Sequence, residues 1–316
     1  MTTGTQLTIL VVGMARSGTS ATAELLASLG LHLPMAADLM QGDESNEHGY
    51  FESMSLSVFN ERLLNELGGG LTDPPQVEEG WEQDASLEAW RAEARQLFDA
   101  AFPIAGVNIW KDPRLSMLLP FWRGVLADHT LAGVLVFRHP TEVVRSLNAH
   151  LAAVMEEQFP ESVPDGLLGR SLRAFGPSLS MAHGLALWER FTRDALVGLR
   201  DLPVFVSPYA SLLNDPIRIR RLACTWLGAL SRWPPSEQAD RILPVEPSLC
   251  HQHDASTDDL EASQLILLEL LRQLPEMNGR LLPPQLPPVS PRAISVLHDA
   301  HLRELQVLQP SLGASA

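Results

Sequence analysis

Apolar runs and helical periodicity alternate along the chain. Short apolar runs of strand length lead into stretches in which apolar residues recur at every third or fourth position. We predict strands near residues 7–13, 107–110, 132–138 and 203–207. We predict helices near residues 18–29, 54–66, 84–101, 114–128, 140–155, 182–199, 216–229 and 258–274. This alternation predicts an α/β fold in which a parallel sheet is flanked by helices on both faces.

The composition changes near the carboxyl end. Prolines interrupt residues 281–291, and a final helical pattern follows near residues 292–308. We therefore predict one α/β domain over residues 1–280 and a helical appendage over residues 281–316, made of a proline-rich linker, a terminal helix and a tail. Residues 158–182 contain prolines and glycines, and this segment is either a mobile substrate lid or a plain surface insertion.

Length and charge narrow the classes of function. With 316 residues, 45% of them hydrophobic, the chain can bury a full core. A formal net charge of −15 argues against a nucleic-acid partner, because such proteins neutralise phosphates with a basic surface. The two cysteines do not make a disulfide framework. Because no apolar stretch reaches membrane-spanning length and the first residues lack a signal-peptide pattern, we expect a cytoplasmic enzyme and leave its oligomeric state open.

The first predicted strand is followed by a loop that lies between two glycines and is suited to bind an anion. The loop reads Gly13-Met-Ala-Arg16-Ser17-Gly18-Thr19-Ser20. Backbone N–H groups of such a loop point inward, and the following helix adds its positive amino-terminal end. The spacing approaches a Walker A loop, but Thr19 stands where nucleotide-hydrolysing enzymes have lysine. Arg16 can still neutralise a smaller anion than a triphosphate.

A second candidate phosphate site follows the third predicted strand. Arg138 ends that strand, Pro140 suits the first turn of a helix, and Ser146 lies about two turns into it. The guanidinium of Arg138 and the hydroxyl of Ser146 can then reach one point, where they suit a phosphate monoester. The alternative interpretation is that Arg138 is a surface ion-pair partner, which is a common role for an arginine at the end of a strand.

Lys111 is a third candidate for chemistry. It is the one lysine among the 23 lysine and arginine residues, and it directly follows the second predicted strand in Trp110-Lys111-Asp112-Pro113-Arg114. A chain that uses arginine everywhere else suggests that this position needs a compact ammonium, which a planar guanidinium does not replace. The alternative is an incidental surface lysine. We expect Asp112 to pair with Arg114 and to aim Lys111.

Together these motifs resemble the sulfotransferases that use 3′-phosphoadenosine 5′-phosphosulfate (PAPS), and most closely their bacterial sulfotransferase-like branch. The resemblance also includes residues 46–52, 118–122 and 208–216. It implies a P-loop nucleotide-hydrolase-like fold and PAPS as co-substrate. It further implies that the 5′-phosphosulfate is held by Arg16, Ser17, Gly18, Thr19 and Ser20, the 3′-phosphate by Arg138 and Ser146, and the adenine with help from Tyr209.

The implied reaction moves a sulfuryl group from PAPS to a hydroxyl of a small-molecule, glycan or peptide-derived acceptor. Lys111 would neutralise charge that develops during transfer, and a base would accept the hydroxyl proton. Glu52 is our first candidate for the base. Glu47 and His48 compete with it, because related enzymes use a glutamate or a histidine in this role.

Two other functions stay open, and a metal site is not expected. A nucleotide kinase-like P-loop enzyme would share the fold, and a non-catalytic PAPS-fold binding protein would share the motifs. His251 and His253 lie one residue apart, but no cysteine or carboxylate cluster completes a four-ligand set at a recognised spacing. Sulfuryl transfer needs no metal here.

Overall fold

A five-stranded sheet lies at the centre of the computed structural model, which describes residues 6–42, 49–104, 106–158, 178–231 and 255–308. The strand order is β2-β1-β3-β4-β5. The strands are β1 (Leu7–Val12), β2 (Val107–Lys111), β3 (Thr130–Phe137), β4 (Val204–Pro208) and β5 (Met277–Asn278). β1 to β4 pair in parallel, and β5 pairs antiparallel to β4. Every residue of β1 and β2 is buried, as expected for strands that are covered on both faces.

Ten helices surround this sheet in the described part of the chain. They are α1 (Thr19–Ala27), α2 (Met54–Glu66), α3 (Glu88–Ala101), α4 (Leu115–Val125), α5 (Pro140–Gln158), α6 (Met181–Gly198), α7 (Tyr209–Asn214), α8 (Pro216–Ser231), α9 (Ala262–Gln273) and α10 (Pro291–Leu308). Ile9 and Val11 of β1 face a core with α1 and α8. Leu10 and Val12 face a larger core with α2 to α6. Helices therefore cover both faces of the sheet.

Side-chain caps fix where several helices begin. Ser53 accepts a hydrogen bond from the Leu56 N–H and starts α2, while Ser180 does the same for α6 through the His183 N–H. Proline starts α5, α8 and α10, as its missing N–H allows at a first helical position. The cap at Ser53 matters for the site, because it places Glu52 directly before the cap of α2.

The predicted α/β architecture is confirmed in its main features. All four predicted strands are present, and the predicted bounds of α2 agree with the structure at both ends. The helix predicted from residue 84 begins at Glu88, because two short 3-10 turns, Trp81–Gln83 and Ala85–Leu87, precede it. β5 and α7 were not predicted. β5 is antiparallel, so the sheet is mostly rather than wholly parallel.

The carboxyl-terminal segment packs against α6. The Arg193 guanidinium donates to the carbonyls of Pro287 and Pro288 at 2.8 and 2.9 Å, and the Ser290 N–H donates to Glu189 at 3.0 Å. α10 then lies along α6. The division of the chain at residue 281 stays a prediction. No described helix combines the length and the apolar character that crossing a membrane would require.

The outer edge of β2 is covered by a residue from the segment that follows α1. The His32 N–H donates to the Val107 carbonyl at 2.9 Å, and the Ile109 N–H donates to the His32 carbonyl at 2.8 Å. This bridge is parallel and is centred on Asn108. The strand that ends in Lys111 is therefore hydrogen-bonded on both sides near its start.

Close contact between α5 and α6 depends on Gly184. A Cβ at this position would lie 2.5 Å from both γ carbons of Val144, whose branched side chain is stiff. We expect Gly184→Ala to lower the free energy of unfolding by about 1–3 kcal/mol through overpacking. Gly228 in α8 is the matched control, because a Cβ there meets open space. Gly228→Ala should raise the free energy of unfolding by roughly 0.5–1 kcal/mol. Urea unfolding measures both, and equal shifts would contradict the close contact.

Candidate active site

The parallel strands bring the predicted site residues to one edge of the sheet. β2 ends at Lys111, β1 leads into the loop at Gly13, β3 is followed by Arg138, and β4 is followed by Tyr209. The strand order places these four positions side by side. Ligands of α/β proteins bind outside the carboxyl ends of such strands, so this edge is the candidate active site.

The loop between β1 and α1 is a tight turn that depends on two glycines. Gly13 has φ +145°, and a Cβ there would lie 2.3 Å from the Val136 carbonyl oxygen. Its N–H donates to the Ser116 hydroxyl at 3.1 Å. Gly18 has φ +94° and precedes α1. The amino end of α1 therefore faces the loop, the arrangement in which a helix favours an anion.

Arg16 links this loop to α5. Its backbone is left-handed, with φ +69°, a conformation that is uncommon for residues other than glycine. Its Nε donates to the Ser146 hydroxyl at 3.2 Å. The structure thus joins a residue predicted for the 5′ end of the nucleotide to one predicted for the 3′-phosphate.

Arg138 is buried between β3 and α5, and its contacts include the side chains of Glu142 and Tyr209. Its Nε donates to Glu142 at 2.9 Å, and its Cζ lies 4.9 Å from the centroid of the Tyr209 ring. The Tyr209 ring also lies against the loop, since a Cβ on Gly18 would be 2.2 Å from it. Arg138 and Ser146 thus flank the loop, and their joint contact with a phosphate stays a prediction.

The remaining loop residues connect the loop to the segment before α2. Ser17 and Thr19 are buried, and Thr19 is the first residue of α1. The Ser20 hydroxyl donates to the Tyr50 carbonyl at 3.4 Å. Phe51 has φ +57°, which is strained for a bulky side chain. This strained turn leads directly to Glu52.

Lys111 and Glu52 form a buried ion pair. Their side chains are only 3% and 7% exposed, and the Lys111 ammonium donates to Glu52 Oε1. The other oxygen of Glu52 accepts from the Ser57 hydroxyl at 3.3 Å and lies 3.9 Å from Arg114. The lysine with the predicted electrostatic role and the preferred base are therefore direct partners.

Arg114 extends the ion pair into a cluster. Its Nε donates to Glu61 at 2.7 Å, and its Nη1 donates to Asp112 at 3.1 Å, so the expected pairing of Asp112 with Arg114 is present. Burial acts to lower the pKa of Arg114, but the carboxylates of Asp112, Glu61 and Glu52 outweigh it and raise this pKa above its usual value. Arg114 stays charged, and the cluster contains two cations and three carboxylates.

Ser57, Asn60 and Glu61 on α2 were not identified from the sequence. Asn60 donates to Asp112 at 2.9 Å and accepts from the Trp122 indole at 2.8 Å. The hydrophobic periodicity of the sequence could have identified them, because these three polar residues occupy positions on the face of α2 that this periodicity assigns to the core. Buried polar residues on a predicted core face indicate polar partners across the interface.

Several predicted residues lie outside the described residues. They are Glu47 and His48, the interior of the candidate lid, and the His251 and His253 pair. In the described ranges, no group of three or more histidine, cysteine, aspartate or glutamate side chains is placed to hold a metal ion.

Comparison with known proteins finds distant structural similarity to sulfotransferases. No family model matches the chain, and no curated protein matches it. The sulfotransferase domain from the Synechococcus PCC 7002 olefin synthase is 18% identical, with 94% of each chain covered and a TM-score of 0.40. The sulfotransferase domain from the curacin biosynthetic pathway is 14% identical, with 92% of this chain and 96% of that chain covered and a TM-score of 0.40. Sulfotransferase STF9 from Mycobacterium avium is 12% identical, with 71% and 64% covered and a TM-score of 0.38.

All three of these structures are sulfotransferases or sulfotransferase domains. At identities of 12–18% and TM-scores of 0.38–0.40, this similarity does not assign a function, and the contacts of the site carry the proposal below.

The buried cluster predicts a large stability cost when the Lys111–Glu52 ion pair is broken. Glu52→Gln removes one carboxylate and leaves Lys111 buried without its partner. We expect the free energy of unfolding to fall by about 3–5 kcal/mol, and adding Lys111→Met should recover much of this loss. Urea unfolding of both variants measures the effect.

Glu276→Gln is the matched control for that experiment. Glu276 pairs with the half-exposed Arg218 at 2.6 Å, where water screens the charges. This substitution should leave the unfolding midpoint nearly unchanged. If the two glutamine variants shifted the unfolding midpoint equally, the buried ion pair of Lys111 and Glu52 would contribute no more to stability than the exposed pair of Arg218 and Glu276.

Proposed function

We propose that this protein is a PAPS-dependent sulfotransferase that transfers a sulfuryl group to a hydroxyl of a small-molecule, glycan or peptide-derived acceptor. In this proposal, the loop after β1 holds the 5′-phosphosulfate, Arg138 and Ser146 hold the 3′-phosphate, and Lys111 acts at the reacting group. The sheet edge that carries these residues is the binding site for both substrates.

The observation that carries the proposal is the contact between Arg16 and Ser146. It joins two segments that each have features of an anion site, a glycine-rich turn before α1 and the first turns of α5 after Arg138. β1 and β3 are neighbours in the sheet, so the two segments start side by side. A nucleotide with phosphate groups at both its 5′ and 3′ positions needs two adjacent anion subsites of this kind.

The loop itself favours PAPS over a nucleoside triphosphate. Thr19 is buried as the first residue of α1, at the position where a Walker loop presents its lysine to the outer phosphates. Arg16 turns toward Ser146 on α5. The loop amides and the helix end can therefore hold one phosphate group, while a γ-phosphate would lack its usual cation.

Lys111 is suited to stabilise charge on the transferring group. Sulfuryl transfer in line between two oxygens resembles phosphoryl transfer, in which positioning and charge stabilisation supply most of the catalysis. Lys111 ends β2, the strand next to β1, so it lies beside the loop that would hold the 5′-phosphosulfate. An incoming sulfuryl group would compete with Glu52 for the Lys111 ammonium.

That competition gives Glu52 a way to act as the base. The cluster has two cations and three carboxylates, which is a formal charge of 2 − 3 = −1. A proton received by Glu52 from the acceptor hydroxyl would change this formal charge from −1 to 0 while Lys111 turns to the sulfuryl group. Glu52 is therefore the proposed base, with Glu47 and His48 as alternatives that a variant series would separate.

A transfer assay with radiolabelled PAPS over a panel of hydroxyl acceptors tests the proposal. Sugars, phenols and hydroxyl-containing peptides represent the three acceptor classes, and labelled product in any class supports it. Calorimetry with PAPS and with ATP provides the second measurement. Tight PAPS binding without transfer would indicate a non-catalytic binding protein, and preference for ATP would indicate a kinase-like enzyme.

The first functional prediction concerns the 3′-phosphate. Arg138→Ala should weaken binding of 3′-phosphoadenosine 5′-phosphate (PAP) by on the order of 2–3 kcal/mol, because a charge-assisted contact is lost. Binding of adenosine 5′-phosphate (AMP), which lacks the 3′-phosphate, should change little. Isothermal titration with both nucleotides measures this difference. Equal losses for the two nucleotides would mean that Arg138 supports the fold and does not bind the 3′-phosphate.

The second functional prediction concerns Lys111. Lys111→Ala should lower single-turnover sulfuryl transfer by roughly a hundredfold or more, while PAP affinity changes much less, because the ammonium acts on charge that develops in the transition state. Lys111→Arg should not restore the full rate, since a planar fork does not occupy the place of a compact ammonium. A wild-type rate in the arginine variant would show that this lysine has no special role. Unchanged PAP affinity in each variant is the control for folding.

A further inference from the structure

The guanidinium of Arg138 contacts Glu142 and Tyr209. Glu142, one helical turn further along α5, accepts from its Nε at 2.9 Å. The Tyr209 ring supports the guanidinium at a distance of 4.9 Å between Cζ and the ring centroid. The side chains of Arg138 and Glu142 are 6% and 17% exposed, so water weakens these contacts little.

Tyr209 is itself fixed by its surroundings. It is the first residue of α7, directly after β4, and it is buried. The backbone of Gly18 lies against the ring so closely that a Cβ would be 2.2 Å from Cδ2 and 2.9 Å from Cε2. The ring therefore contacts both the phosphate loop and the arginine.

We propose that Tyr209 is a positioning residue for Arg138 and so determines specificity for the 3′-phosphate. This inference rests on the proposed function, in which Arg138 binds that phosphate. The family resemblance implies a different role for Tyr209, which is to help hold the adenine. The two roles predict different effects of a Tyr209 substitution on the binding of nucleotides with and without a 3′-phosphate.

A guanidinium binds a phosphate specifically only when the orientation of its plane and the direction of its N–H donors are fixed. Its N–H donors lie in one plane, and a bidentate contact requires that plane to face the phosphate oxygens. The contact of the Arg138 Cζ with the face of the Tyr209 ring restricts how the guanidinium plane can turn, and the bond from Nε to Glu142 restricts its direction. Because β3 and β4 are adjacent, the sheet carries both the arginine and its aromatic support.

The experiment compares PAP with AMP, which differ only in the 3′-phosphate. The preference for PAP is the ratio of the AMP dissociation constant to the PAP dissociation constant, measured by isothermal titration. Tyr209→Leu should lower this preference roughly three- to thirtyfold, as loss of a cation–π contact predicts, while AMP affinity stays within about twofold of wild type. Tyr209→Phe keeps the ring and should keep the preference.

A double variant tests whether Tyr209 acts through Arg138. In the Arg138→Ala background, adding Tyr209→Leu should not lower the preference further, because the group it positions is gone. AMP affinity in each variant reports that the protein is folded and that the adenine site is intact.

Three results would overturn the inference. Equal losses of PAP and AMP affinity in Tyr209→Leu would show that Tyr209 holds the nucleoside. An unchanged preference in that variant would show that the ring does not position Arg138, and a further loss in the double variant would show that it acts independently. If wild type itself failed to prefer PAP over AMP, the proposed function would fail first, before any variant was measured.

Discussion

Charge balance inside the protein is the constraint on which the candidate site depends. Lys111 and Arg114 are buried, and a buried cation without an anionic partner is strongly destabilising. Their partners come from two directions, with Glu52 and Glu61 from the segment around α2 and Asp112 from the turn after β2. The packing of α2 over the end of β2 is therefore a requirement of the site as well as of the core.

The apolar core supports this cluster through one indole. The Trp122 ring packs edge to face against Trp110 with centroids 4.4 Å apart, and its Nε1 bonds to Asn60, which in turn bonds to Asp112. A chain of contacts thus runs from the aromatic core to the carboxylate beside Arg114. Such a buried polar network is stable only when its members are satisfied, so its geometry leaves little freedom to the residues at the sheet edge.

The sequence was most informative where one segment determines its own conformation. The strand ends at Lys111 and Arg138, the glycine turn before α1, and the extent of α2 follow from local pattern, because periodicity, glycine and proline act within a few residues. The pairing of Glu52 with Lys111 and of Arg138 with Tyr209 did not follow. These contacts join residues 59 and 71 positions apart, and they exist only because the fold brings separate segments together at one edge of the sheet. β5 has two residues and α7 has six, which is too short for periodicity to be recognised.

The covered edge of β2 has a consequence for the behaviour of the protein in concentrated solution. Open strand edges are templates on which other chains can form new sheet hydrogen bonds and aggregate. Here His32 already occupies the outer side of β2 near its start, and among the described residues the opposite edge of the sheet carries only the short β5. The carboxyl edge of the sheet can therefore carry the polar residues of the candidate site, while the lateral edges give neighbouring molecules little backbone to pair with.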